Sequence, residues 1–142
     1  MADTTITFST FNVNKVKNVH SGVFAMYGSH TYSAAQTLSQ SQVYLAIPIP
    51  EGVVILDGFV KSSHNASYSF KASAGWTDAK SILMVSTTID SVGVRFNGTP
   101  HEVTLTDTNT IPRIKPLAIT IKTAASGTLN GTMSVIAWMQ HL

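Results

Sequence analysis

The chain has 142 residues, about the length of one domain. Only 11% of them are charged, under half of the roughly 25% usual in globular domains, while 44% are hydrophobic, which excludes a highly charged disordered tail. Nine basic and seven acidic residues give a net charge of +2 with no basic cluster beyond Lys15 and Lys17, which excludes nucleic-acid binding by phosphate neutralisation.

Residues 4–9, Thr-Ile-Thr-Phe-Ser-Thr, alternate polar and apolar and predict a short strand. Phe11, Val13, Val16 and Val19 follow, broken by Asn12, Asn14 and Asn18. Residues 20–42 are small and polar yet carry Phe24, Met26, Tyr27 and Tyr32. Two readings stand for these aromatics: they cap one end of the domain core, or they belong to an arm that packs on a neighbouring subunit. The composition shift near residue 42 divides an N-terminal arm and lead-in segment, 1–41, from a β-sandwich domain, 42–142.

Residues 42–47 predict a strand, which Pro48 and Pro50 stop because neither has the N–H a ladder needs. Residues 53–60 are almost continuously apolar, interrupted by Asp57 and Gly58, and predict a buried strand. His64 and Asn65 mark a turn, and Tyr68, Phe70 and Ala72 alternate with polar residues as a half-buried strand. Residues 74–78 are a loop and 82–85 a short strand. Val92, Val94 and Phe96 alternate up to Asn97-Gly98, a turn dipeptide that tolerates positive φ. Val103 and Leu105 alternate next, then 107–112 form a polar connection. Leu117, Ile119 and Ile121 mark a strand, 124–127 close a hairpin, and the last strand runs over 129–139. In it Met133, Val135, Ala137 and Met139 share one face, opposite Thr132, Ser134, Ile136, Trp138 and Gln140.

About eight strands at spacings near ten residues, with no helical period, support a sandwich, jelly roll or barrel. The fold class expected is all-β: a single jelly-roll or β-sandwich domain of about eight antiparallel strands, preceded by an extended N-terminal arm. The chain holds 16 Ser and 18 Thr. Hydroxyls are cheaper to desolvate than charges, so such a surface suits assembly.

Chemistry-bearing patterns are scarce. There is no cysteine, hence no disulfide, thiolate site or Cys nucleophile. His20, His30, His64, His101 and His141 lack the spacing that nucleates a zinc site. No Gly-x-Ser-x-Gly elbow or phosphate-binding glycine loop exists. Six of the seven carboxylates fall in or beside turn signals or in the N-terminal segment. Asp57 alone interrupts an apolar run, where it marks a bulge or an edge or pairs with a buried Lys or Arg, with a general acid or base as the minor alternative. No catalytic residue, metal or cofactor is expected. No run of eighteen apolar residues occurs, so no membrane contact is expected. Residues 1–5 lack a basic start and apolar run, so no secretory signal is expected. The triplets at Asn65, Asn97 and Asn130 match the glycosylation acceptor but read as turns and strand edges. Trp76, in a Gly-containing loop, is the candidate for stacking on a sugar, against the alternative of a loop Trp folded onto the sandwich edge or a neighbour.

Residues 44–60 and 111–139 resemble a known family. The run Ala46-Ile47-Pro48-Ile49-Pro50-Glu51-Gly52-Val53-Val54-Ile55-Leu56-Asp57-Gly58-Phe59-Val60 is similar to the Pro-Gly turn and apolar strand of small tailed-phage virion proteins. Pro112 and Pro116, the strand 117–122, a Ser-Gly turn and the closing strand 129–135 fit the same pattern, and Tyr27-Gly28 with His30 and Tyr32 resembles its approach to the fold. The resemblance covers about two-thirds of the chain and leaves out residues 1–26.

The resemblance implies a capsid decoration, or cement, protein: a jelly-roll-like homotrimer bound to the major capsid protein on the virion exterior, made in the host cytoplasm. The alternatives are another virion component, in the tail, connector or receptor-binding head, and a carbohydrate-binding module that takes a host-surface glycan. Ile6, Phe8, Phe11, Phe24, Tyr27, Tyr32 and Trp76 are the candidate contacts between subunits or with the shell. On this reading the segment 1–20 is dispensable for folding, and 4–9 adds as a strand to a neighbour's sheet edge.

Overall fold

The period-two segments become strands, and among the described residues there is no helix. A computed structural model describes residues 5–8, 10–13, 22–32, 38–63, 70–106, 113–123 and 131–141, with backbone alone at 10–13. The strands are β1 (Thr5–Thr7), β2 (Thr10–Val13), β3 (Val23–Thr31), β4 (Val43–Pro50), β5 (Val53–Ser63), β6 (Phe70–Gly75), β7 (Met84–Ile89), β8 (Val94–Arg95), β9 (His101–Glu102), β10 (Ile114–Thr123) and β11 (Thr132–His141). They form two sheets. The first has the order β1-β4-β10-β6-β7; the second has the order β2-β3-β11-β5-β8, with β9 also paired to β5. The all-β sandwich expected from the sequence is therefore present, with more and shorter strands than the eight expected. One pair, β1 with β4, is parallel.

The core lies between the sheets and follows the alternation. Met133, Val135, Ala137 and Met139 of β11 are fully buried and face Leu117, Ile119 and Ile121 of β10, Tyr44 and Ile49 of β4, and Phe70 of β6. Each such side chain contributes about 1.5–3 kcal/mol by leaving water. The chain changes sheets at most connections; only β2–β3, β6–β7 and β8–β9 stay within one sheet. The β4–β5 corner turns at Gly52, whose φ of 90° suits glycine. The N–H of Glu51 donates to the Arg113 carbonyl at 3.0 Å and that of Gly52 to the Val103 carbonyl at 3.2 Å.

Five expectations are corrected. First, the strand begun at residue 42 runs through both prolines to Pro50. The partner β1 covers only Val43–Leu45 of β4, so the edge beyond it needs no N–H. On the other side Pro48 stands opposite Pro116 of β10, a pair that asks for no ladder bond from either. Second, Val103 and Leu105 do not form a strand. The pairing ends at Glu102, apart from the Val103 N–H, which donates to the Val53 carbonyl at 2.8 Å. Third, the short strand expected at 82–85 starts at Met84 and runs to Ile89.

The fourth correction concerns the arm. The described part of residues 1–41 is built into the sandwich rather than extended from it. β3 pairs along nine residues with β11, β2 pairs with β3, and β1 extends the first sheet. Phe8, Met26, Tyr32 and Leu38 are in the core. Phe8 lies in an aromatic cluster with His30 at 6.0 Å and Tyr44 at 6.1 Å between ring centres. The physical reason is that β4 and β11 would otherwise present bare edges, and the segment's aromatics find apolar surface in their own chain first. Fifth, the hairpin expected at 124–127 does not form, because β10 and β11 lie in different sheets and the connection crosses between them. The turn at His64-Asn65, Tyr68, the residues of the connections 107–112 and 124–127 and the segment around Val16 and Val19 lie outside the described residues.

Phe8→Ala is expected to cost about 3–5 kcal/mol of stability, as truncation of a buried aromatic does, read from the midpoint of urea unfolding. An unchanged midpoint would return residues 1–13 to the status of an arm. Ile119→Asp puts an unpaired charge into a fully buried position and is expected to abolish the cooperative transition; a variant that melts normally would contradict the register of β10.

Candidate functional site

Among the described residues three ion pairs sit at separate places on the body. Glu51 accepts from Arg113 Nη2 at 3.0 Å and Nε at 3.2 Å, and from the Leu105 N–H at 3.0 Å. It therefore ties the β4–β5 corner to the segments before β10. Asp57 accepts from the Gly58 N–H at 2.8 Å and pairs with Arg95 of β8. Opposite Trp138 and Met139 the β5 register skips Leu56, so Asp57 stands beside a bulge. The bulge reading of Asp57 therefore holds, and its partner is an exposed arginine rather than the buried cation expected. Lys115 lies 4.0 Å from Asp78. Among the described residues no three His, Cys, Asp or Glu side chains converge to hold a metal ion.

The Arg113 hydrogen bonds, the Leu105 N–H and the Arg113 charge hold the Glu51 carboxyl below its ordinary value, against a smaller effect of burial. At Asp57 burial pushes upward most strongly, but the Arg95 hydrogen bond, the Gly58 N–H and the Arg95 charge together outweigh it. Both groups bind protons less readily in the folded chain. Their contribution is complete above the unfolded carboxyl value, about 4, and is lost as pH falls through the lower folded value.

The two outer faces of the sandwich differ. The loop 76–83 folds back over part of the first sheet. The Ser73 hydroxyl donates to the Lys80 carbonyl at 2.8 Å, and the Leu83 N–H donates to the Ala74 carbonyl at 3.0 Å. A side chain at Gly75 would stand 2.2 Å from the Ala79 carbonyl oxygen, so glycine lets the loop close down. Ser73 and Thr120 are buried beneath it. Trp76 goes with this loop: it is 4% exposed, and the Lys115 ammonium sits 5.2 Å from its ring centre.

The outer face of the second sheet has no such cover among the described residues. Strand register places Tyr27 of β3, Ile136 of β11, Phe59 of β5 and Arg95 of β8 in one row. The next rows are Ser29, Ser134 and Lys61 on one side, and Ala25, Trp138 and Asp57 on the other. Phe59 and Trp138 stack with ring centres 5.9 Å apart. Tyr27, Phe59, Lys61, Ser134, Val135 and Ile136 line a concavity of about 120 Å³. The Tyr27 phenol is hydrogen-bonded to Ser134 and Ser29, which lowers its pKa against the effect of burial, with a further contribution from the Lys61 charge.

The sequence-derived contact residues separate on this structure. Phe8, Tyr32 and Trp76 are inside the chain's own core and unavailable at its surface. The Tyr32 and Ser62 hydroxyls share a 2.6 Å hydrogen bond. Ile6 is partly buried against the core. Phe24 is half-buried and stacks on His141 at 4.9 Å. Phe11 stands opposite Gly28 in the β2–β3 register, and its side chain lies outside the described residues. Of the six whose side chains are described, Tyr27 alone is on the open face. Phe59, Lys61, Ile136 and Trp138 join it there and were not among the candidates. The alternation of the last strand already separates Ile136 and Trp138 from the core row. Phe59 is hidden in the sequence because the apolar run 53–60 reads as buried on both sides.

No protein-family model matches the chain, and no curated protein matches it in sequence. Solved structures share its fold. A chain of the cyanophage Pam1 capsid asymmetric unit aligns with a TM-score of 0.69 at 15% identity, over 94% of this chain and 95% of that one. A chain of the Ralstonia phage GP4 capsid gives 0.59 at 13% identity, over 92% of both. A chain of the acidic stable capsid of Helicobacter pylori bacteriophage KHP30 gives 0.55 at 15% identity, over 87% and 90%.

The midpoint of urea unfolding is expected to be level from pH 7 to about 5 and to fall below about 4. Glu51→Gln is expected to lose part of that acid dependence. An identical acid limb in the variant would contradict the role given to the Glu51–Arg113 pair.

Proposed function

We propose that this chain is a structural virion protein of a tailed phage, a decoration protein that binds the major capsid protein on the capsid exterior as a homotrimer. The observation that carries this reading is the extent of the fold match. Three phage capsid chains align over about nine-tenths or more of both partners. The matched chains are therefore about this chain's own size, whole small components rather than one domain of a larger shell subunit. The chain's low charge and abundant hydroxyls suit lasting protein contacts. A trimer also multiplies a weak contact, because once one subunit docks the others bind intramolecularly. The role is mechanical: the protein holds neighbouring shell subunits together and makes or breaks no covalent bond.

The glycan-binding alternative loses its main residue, since Trp76 lies beneath Lys115 with its face occupied.

Light scattering on the purified protein is expected to give three times the 15.2 kDa chain mass. Mixed with shells that lack it, the protein is expected to co-sediment in a saturable manner, at hundreds of copies per particle. A monomer that ignores the shells, or a stoichiometry of about a dozen, would contradict the decoration reading.

A further inference from the structure

We infer that the open outer face of the second sheet, centred on the Tyr27–Ile136–Phe59 concavity, is the surface that docks on the shell, and that its occupant is an apolar side chain flanked by a carboxylate on the major capsid protein. The inference rests on the decoration reading and adds the face and the chemistry of the contact.

A solvated sheet face normally alternates to polar residues. Here the outward row across β3, β11 and β5 is Tyr27, Ile136 and Phe59, with Trp138 stacked beside Phe59. Val92, 86% exposed, follows Asp90 at the same side of the sheet, and Gly93 packs against the Phe59 ring. Aromatic and aliphatic anchors of this kind are what the centre of a protein interface uses. The loop 76–83 lies over only part of the other sheet, where Leu45, Ile47, Pro48, Ile114 and Pro116 line a second apolar hollow of about 180 Å³, but that hollow has no charged side chain in its lining.

The concavity of about 120 Å³ has a largely apolar lining. It is comparable with the ~150 Å³ apolar cavity that accepts a benzene ring, so it takes one aliphatic or aromatic side chain rather than a ligand of drug size.

Two cations stand on this face, and they differ. Arg95 is neutralised by Asp57. Lys61, exposed at the rim of the concavity, has no carboxylate in ion-pair range among the described residues. The rim therefore presents one unpaired positive charge beside an apolar hollow, which a carboxylate next to an apolar knob complements. A second copy of the chain fits worse. Two copies meeting through this face would form a two-fold contact that brings the same cationic rim to itself. A trimer needs two different patches in heterologous contact, which leaves a broad flat face free for another partner.

Two variants test the inference on the full-length protein, with shells assembled from the major capsid protein alone as the probe. Ile136→Asp and Lys61→Glu both change outward side chains, and circular dichroism melting and light-scattering mass are expected to match the parent. Shell affinity is expected to fall at least tenfold in each. The Lys61→Glu defect is expected to shrink at high salt, where screening removes the charge term. If Ile136→Asp fails to fold, Lys61→Glu alone decides the matter, since its side chain is exposed. Parent protein that binds while both variants bind equally well would overturn the docking face and leave the decoration reading intact. Variants that fold but lose the trimer mass would overturn it in favour of a contact between copies. Parent protein that ignores the shells would overturn both.

Discussion

The structure depends on the inward contact between β10 and β11. Each is the central strand of its sheet: β10 lies between β4 and β6, and β11 between β3 and β5. Their buried rows, Leu117, Ile119 and Ile121 against Met133, Val135, Ala137 and Met139, form the middle of the core. Both strands come from the last third of the chain. Every other large strand must therefore wait for these two C-terminal strands before its sheet has a centre. Contacts between residues far apart in sequence make such a topology slow to fold. The same topology resists pulling apart, because the sheets are linked by most of the connections.

That closed body explains the fate of the N-terminal segment. Once β4 and β11 are placed, their free sides offer ladder groups and apolar surface, and β1, β2 and β3 take them. Phe8 then joins His30 and Tyr44 inside. The chain thus uses most of its aromatics on itself. On the second sheet the alternation of β11 and β5 puts Ile136, Trp138 and Phe59 outward. A sandwich with one sheet partly covered by its own loop, and the other without such cover among the described residues, has two unlike faces.

Much of the fold was legible because the signals were local. Period-two alternation in 117–121 and 133–139 placed the core rows correctly, and the low charge with many hydroxyls pointed to a β body. The Pro-Glu-Gly corner was read as a stop, whereas Pro48 and Pro50 remain in the strand. The reason is tertiary: β1 ends at Thr7, so the N–H positions they lack were never needed. The site was less legible. Burial of Phe8, Tyr32 and Trp76 depends on long-range packing that no window of sequence reveals. Exposure of Phe59 depends on which side of β5 is covered, and on the bulge at Leu56 that resets its phase.

The most direct test is an image of the assembled particle by electron cryomicroscopy at a resolution that separates the two sheets. The account predicts three-fold clusters of this sandwich on the outer surface of the head, the second sheet turned toward the shell with Tyr27, Phe59 and Ile136 at the contact. Density for the chain confined to the tail, or seated with the loop-covered sheet against the shell, would contradict it.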